Sequence, residues 1–179
     1  MINVNDYNWN NISVGASKYD FIMNRFSKVD VSADEEFQKK FTGFYRIRRN
    51  KELFLKRYYS FMESLKGEEA SFEEIIRTIH DFQGTIEPSF SSKMLATLNP
   101  DMPVWDRYVL SNAEIAAPKQ YNVTFEKCIA TYEKVVAFYA ELLKTDVAQE
   151  MLRLFDEKLP EYKHFSKTKK IDLMLWQKR

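Results

Sequence analysis

The stretch that decides the fold class runs from Thr124 to Leu143, TFEKCIATYEKVVAFYAELL. Its apolar residues recur at every third or fourth position, which is the spacing of one face of an α-helix. Thr124 stands directly before the first of them, where a hydroxyl can accept a hydrogen bond from a free N–H group of the first turn. The stretch therefore predicts a long amphipathic helix with one buried face.

The segments on either side also carry helix signals. Downstream, Asp146 starts a predicted helix that Pro160 stops, and a last helix is predicted over 168–177. Upstream, four serines stand where helices are predicted to begin, and two of them (Ser32 and Ser71) have a glutamate three residues later, as in a capping box: Ser17, Ser32, Ser71 and Ser89. A loop is predicted at 99–103, which contains two prolines.

Short helices joined by short loops predict an all-α fold, a compact orthogonal multi-helix bundle, in one domain over 1–179. Within it, 1–14 is a polar N-terminal segment and 163–179 is a basic C-terminal helix. Apolar residues make up 45% of the chain, which is too many for a disordered protein. Four glycines and five prolines among 179 residues disfavour a fold rich in tight β-turns.

Charge and cysteine content exclude several classes of protein. The formal net charge is +1, so a globally basic nucleic-acid binder is not indicated, although local patches are. The single cysteine, Cys128, cannot form an internal disulfide, and no Cys/His spacing suits zinc. No signal peptide and no membrane-spanning apolar run is recognised, which favours the cytoplasm and a protein without a membrane partner. No metal site and no cofactor is predicted.

The unusual stretch is 88–109, PSFSSKMLATLNPDMPVWDRYV. It combines a turn, a helix, a loop with two prolines and an aspartate at the next helix start. It resembles the core of the helix-hairpin-helix (HhH-GPD) DNA glycosylases, in which a hairpin leads into a helix that carries a lysine nucleophile. It also resembles small bacterial proteins with a Ser-Lys-Leu, Asn-Pro, Trp-Asp pattern, a family that implies no established activity.

The resemblance to the glycosylases implies roles for individual residues. Lys93 matches the lysine that attacks the sugar C1′, and Asp106 matches the aspartate that stabilises the developing positive charge. Ser91, Ser92 and Arg107 fall where contacts with DNA are expected. The family's hairpin has two glycines that approach a phosphate, whereas Glu87–Ser92 has none. The resemblance implies a DNA-glycosylase-like base-excision protein, or a degenerate nucleic-acid-binding relative.

Elementary helix chemistry offers a second interpretation of the same two residues. Asp106 is expected at a helix N-terminus in any case, because a carboxylate there interacts favourably with free N–H groups. Lys93 could lie on a solvated helix face, or form an ion pair with Asp106. Both residues then serve the fold alone.

Two clusters of basic residues remain. The first includes Arg46, Arg48 and Arg49 beside Tyr45, a combination that suits contact with phosphate and stacking on bases. The second lies in 163–179. The alternative is that both are solvated charge on helix surfaces. In that case the chain is a non-enzymatic helical module that binds a protein partner rather than DNA.

Overall fold

The computed structural model describes residues 7–47 and 52–176, and every regular element in these residues is helical. The α-helices in chain order are α1 (Trp9–Phe26), α2 (Glu35–Phe44), α3 (Glu52–Ser64), α4 (Phe72–Gln83), α5 (Pro88–Leu98), α6 (Arg107–Asn112), α7 (Phe125–Leu142), α8 (Asp146–Lys158) and α9 (Lys167–Leu175). Short 3₁₀ turns occur at Gln120–Asn122 and Pro160–Tyr162. The prediction of an all-α fold is confirmed. None of the helices in these residues has the length and apolar character needed to cross a membrane.

Side-chain caps explain where the helices begin. The predicted caps at Thr124 and Ser71 are confirmed, since each side chain accepts a hydrogen bond from a backbone N–H of the first turn. The predicted starts at Ser17 and Ser32 are wrong. Asn8 caps α1, so the helix begins within the segment expected to be a polar tail. Asp34 caps α2, because its carboxylate both accepts from the Phe37 N–H and pairs with Arg25.

Aromatic residues of α2 and α3 form much of the core. Phe37, Phe41, Tyr58 and Tyr59 are all fully buried. Phe37 and Phe41 are stacked with ring centroids 5.5 Å apart, and Tyr59 meets both rings edge-on. The Tyr59 hydroxyl donates to the Gln38 carbonyl at 3.1 Å, so the ring is buried without leaving its polar atom unpaired.

Helix α9 lies inside the fold, whereas both interpretations of the basic residues in 163–179, contact with phosphate or solvated charge, required them at the surface. Lys169 and Lys170 are buried, as is Asp172. The Lys169 ammonium donates to Asp172 at 2.8 Å, and Lys170 pairs with Asp156 at 2.6 Å. Each buried ammonium therefore has a carboxylate beside it, as burial of charge requires. These two lysines are not part of a surface that could meet phosphate.

The loop between α5 and α6 is held in place by three hydrogen bonds to its backbone. The Ser92 hydroxyl accepts from the Trp105 N–H at 2.8 Å, which ties the end of the loop to α5. The Tyr132 hydroxyl of α7 donates to the Pro103 carbonyl at 2.8 Å, and the Ser166 hydroxyl donates to the Pro100 carbonyl at 2.6 Å. The loop thus turns the chain back so that the start of α6 returns to α5.

Candidate functional site

Lys93 of α5 and Asp106, the residue that caps α6, line the same cavity, which has a volume of about 740 Å³. That is within the usual range for a small-molecule site. Its walls come from α1, α2, α5, α6 and α9, which are far apart in the sequence. The lining residues are Asn8, Asn11, Val14, Gly15, Lys18, Gly43, Phe44, Tyr45, Arg46, Lys93, Asp106, Arg107, Tyr108, Leu173 and Trp176.

Lys93 is a buried lysine that forms no ion pair with any carboxylate in the described residues. The residue is 6% exposed, and its amine lies 5.5 Å from the centre of the Phe90 ring. Among the residues that the structure describes, the amine has no hydrogen-bond partner. Burial lowers the pKa of Lys93 to about 8, although the charge of Asp106 acts in the opposite direction. The prediction that Lys93 lies on a solvated face is therefore wrong.

Asp106 both caps α6 and lines the cavity. One carboxylate oxygen accepts from the Tyr108 N–H at 2.8 Å, which confirms the prediction that Asp106 caps a helix. The same side chain also faces the cavity and acts on Lys93 through its charge. The cap leaves Asp106 at the cavity, so the hypothesis that it also acts in a site stays a prediction.

Ser91 and Ser92 are not part of the cavity, and the prediction that they contact nucleic acid is corrected. Both are fully buried. The Ser91 hydroxyl donates to the Glu87 carbonyl at 2.8 Å, and the Ser92 hydroxyl donates to the Ser89 carbonyl at 3.0 Å. Serine hydroxyls within a helix commonly bond back to the preceding turn in this way. Their role is to support α5 and the loop that follows it.

The predicted cationic contacts are partly found at the cavity. Arg46 and Arg107 are exposed residues that line it, so they lie at its mouth, whereas Lys93 lies deeper. The Arg107 guanidinium covers the Tyr108 ring at 4.6 Å and donates to the Tyr108 hydroxyl. Arg48 and Arg49 lie outside the described residues.

Several lining residues were missed by sequence reasoning. Lys18, Asn8 and Asn11 come from α1, far from Lys93 in sequence, and no local motif connects them. The one signal that could have helped is a pair of glycines within helices, Gly15 and Gly43, since a glycine in a helix needs a packing or functional reason. Both glycines line the cavity.

One wall of the cavity is aromatic. Phe44 lies 4.8 Å from Tyr45 and 5.5 Å from Trp176 between ring centroids, and these three rings contact each other. Tyr108 lines the cavity as well, from α6. Phe44 and Tyr45 are buried, whereas Trp176 and Tyr108 are half-buried and offer flat apolar surface on which a planar group can stack.

A metal ion has no obvious place in the described part of the chain, where no group of three or more His, Cys, Asp or Glu side chains is positioned to hold one. Comparison with known proteins matched no family model, no curated protein and no solved structure.

Proposed function

We propose that the chain is a DNA-glycosylase-like base-excision protein, an N-glycosylase and lyase that acts on a damaged base, with Lys93 as nucleophile. The observation that supports this most strongly is a buried lysine whose amine has no hydrogen-bond partner within residues 7–47 and 52–176, in a cavity that it shares with a carboxylate. A buried lysine without a partner destabilises a fold, so its presence in a cavity favours a functional role.

The chemistry follows from the state of the amine. With a pKa of about 8, about a tenth of the Lys93 amines are neutral at pH 7, whereas an ordinary lysine is almost wholly protonated. The neutral nitrogen attacks the sugar C1′ while the bond from C1′ to the base breaks, and the bonding electrons leave with the base, which takes up a proton. Loss of a proton from nitrogen and opening of the sugar ring, with a proton passing to O4′, form a Schiff base.

Asp106 is suited to two tasks in this reaction. Its negative charge, in the same cavity, stabilises the positive charge that develops on the sugar as the base departs. Its carboxylate can also accept the proton that the attacking amine must lose. Trp176, the half-buried ring of the aromatic wall, provides a stacking surface for a base taken out of its helix, with Phe44 and Tyr45 packed behind it.

The test is borohydride trapping on oligonucleotides that contain an abasic site or an oxidised base. The wild-type protein is expected to form a reducible covalent adduct, and Lys93→Ala to form none. Asp106→Asn is expected to slow removal of the base by about 10²-fold to 10⁴-fold, the usual contribution of acid–base catalysis, while still forming an adduct with the abasic site.

The matched control is Lys134→Ala, which removes an exposed lysine of α7 and should trap like wild type. Absence of any adduct with the wild-type protein, together with absence of salt-sensitive DNA binding, would contradict the proposal. That outcome would favour the other hypothesis, a non-enzymatic helical module that binds a protein partner.

A further inference from the structure

The cavity carries more positive charge than the chain as a whole. Among the described residues, Lys18, Arg46, Lys93 and Arg107 line it together with one carboxylate, that of Asp106, an excess of three positive charges. The whole chain has a net charge of only +1. Concentration of like charges around one hollow is unfavourable unless an anion occupies it.

The cations at the mouth of the cavity also lack carboxylate partners. In residues 7–47 and 52–176, Lys18 and Arg46 form no ion pair, and Arg107 contacts only Tyr108. Some arginines elsewhere do have a carboxylate partner, as in Arg77 with Glu73 and Arg153 with Glu150, whereas the exposed Arg57, within these same residues, bonds only to the Phe82 carbonyl. The mouth of the cavity therefore presents donors that are free to bind a group from outside the chain.

Arg46 occupies a backbone position that disfavours any residue with a side chain. Arg46 has a φ of 51°, in the left-handed region. It follows the end of α2 at the position where the Ile47 N–H bonds back to the Thr42 carbonyl at 3.0 Å, an arrangement that usually has glycine at this point. An arginine is strained there, and because Glu114 has the same conformation after α6, the strain at Arg46 points to a site only together with its place at the cavity.

Part of the cavity wall is formed by Gly43, which has no side chain. A Cβ at Gly43 would meet no heavy atom within 4 Å outside its own helix and its chain neighbours. Glycine lowers the stability of a helix, so its presence in α2 is not explained by the fold. It leaves room for a ligand at this side of the cavity, which Arg46 also lines.

We infer that the cavity binds a nucleoside phosphate, with the phosphate held at the mouth by Lys18, Arg46 and Arg107 and the base against the wall of Phe44, Tyr45 and Trp176. Arginine and lysine are the side chains that suit phosphate, and the rings suit a base. The choice of a nucleoside over another organic anion rests on the proposed function. The phosphate could belong to a free nucleotide or to the phosphorylated end of a DNA strand.

Calorimetric titration separates these sources. The probes are deoxyguanosine monophosphate, deoxyguanosine, inorganic phosphate, and a short single-stranded oligonucleotide with or without a 5′-phosphate. We expect the monophosphate to bind at least about tenfold more tightly than the nucleoside, with an affinity that falls as salt rises.

A preference for the 5′-phosphorylated oligonucleotide over the monophosphate assigns the site to strand ends, and the reverse assigns it to free nucleotides. Equal affinity for the nucleoside and the monophosphate would overturn the inference.

Two pairs of variants distinguish a loss of binding from a loss of folding. Arg46→Gly relieves the strained backbone, so it should maintain or raise Tm, yet weaken monophosphate binding about tenfold. Its control is Glu114→Gly, since Glu114 has a φ of 55° at the same position after α6 but does not line the cavity. That variant should maintain or raise Tm and leave binding intact.

Gly43→Leu should likewise maintain Tm, because leucine is a better helix former and meets no neighbour, but it should block the cavity and abolish binding. Gly43→Ala, which adds one methyl group, should bind nearly like wild type. If Arg46→Gly and Gly43→Leu fold and bind the monophosphate like wild type, the inference fails. Because no covalent step enters these titrations, that failure is distinct from failure of the trapping experiment.

Discussion

Replacement of Asp172 by asparagine is expected to lower the free energy of unfolding by about 3–5 kcal/mol, because it leaves the Lys169 ammonium buried without a counter-charge. Lys169 and Asp172 are both 2% exposed, and their charged atoms are 2.8 Å apart. Burial alone would lower the pKa of Lys169, but Asp172 and the neighbouring tyrosines Tyr45 and Tyr19 raise it above its ordinary value. The lysine is therefore charged in the folded protein, and its partner is needed.

The double variant Lys169→Met/Asp172→Asn separates this charge effect from simple loss of packing. It removes both charges and keeps an amide oxygen to accept from the Tyr139 hydroxyl, which donates to Asp172 at 3.1 Å. We expect it to recover most of the lost stability in urea unfolding, since a buried ion pair can often be replaced without loss. Glu141→Gln, which removes one member of an exposed pair with Lys144, should change stability by less than about 1 kcal/mol. A double variant as unstable as Asp172→Asn would contradict this explanation.

The pair also matters for the cavity. The Lys169 ammonium lies 5.8 Å from the centre of the Tyr45 ring, and Tyr45 is part of the aromatic wall. Leu173 and Trp176, which follow on the same helix, line the cavity as well. The buried charges of α9 thus hold the wall against which a base would stack.

Lys93→Met is expected to have the opposite effect and to stabilise the protein at pH 7. The pKa of Lys93 falls from its ordinary 10.5 to about 8 on folding, so the folded state holds its proton less tightly than the unfolded state. The wild-type protein therefore loses stability as pH falls from 10.5 to 8, and the loss is complete below 8. The shift corresponds to roughly 3 kcal/mol, and methionine, of similar length and uncharged, should recover a large part of it.

The measurement is urea unfolding of the wild type and of Lys93→Met between pH 7 and pH 10. The stabilising effect of the substitution should be largest at pH 7 and should shrink steadily above pH 8, approaching zero near 10.5. Lys134→Met, at an exposed position, should show no such dependence. A difference between Lys93→Met and the wild type that does not vary with pH would show that the amine is not held in a low-polarity site. A residue whose removal stabilises the fold is retained for another reason, as is common at active sites.

Local signals predicted much of the fold. The apolar spacing of α7 and the capping side chains of Thr124 and Ser71 act within one helical turn, so the sequence carries them directly. The depth of α9 was not predictable in this way. Several lysines in a short helix are typical of an exposed surface. Lys169 and Lys170 can be buried because Asp172 and Asp156 pair with them in the folded chain.

The same distinction applies to the site. Lys93 and Asp106 are close in sequence, and the loop with two prolines turns the chain back between them. A resemblance confined to 88–109 was therefore enough to predict that the two residues lie near each other. Ser91 and Ser92 were misjudged because a hydroxyl that serves its own helix looks in sequence like one that meets a ligand. Lys18 and Trp176 join the cavity through contacts between distant helices, which no local pattern records.

The most direct test of the account is to identify which residue carries the covalent adduct after borohydride reduction on an oligonucleotide with an abasic site. Proteolysis and peptide mass spectrometry of the trapped protein should place the sugar fragment on Lys93. The yield should rise with pH around 8, as the amine loses its proton. An adduct spread over exposed lysines such as Lys134, with Lys93 unmodified, would contradict the claim that the Lys93 amine is the reactive group of this cavity.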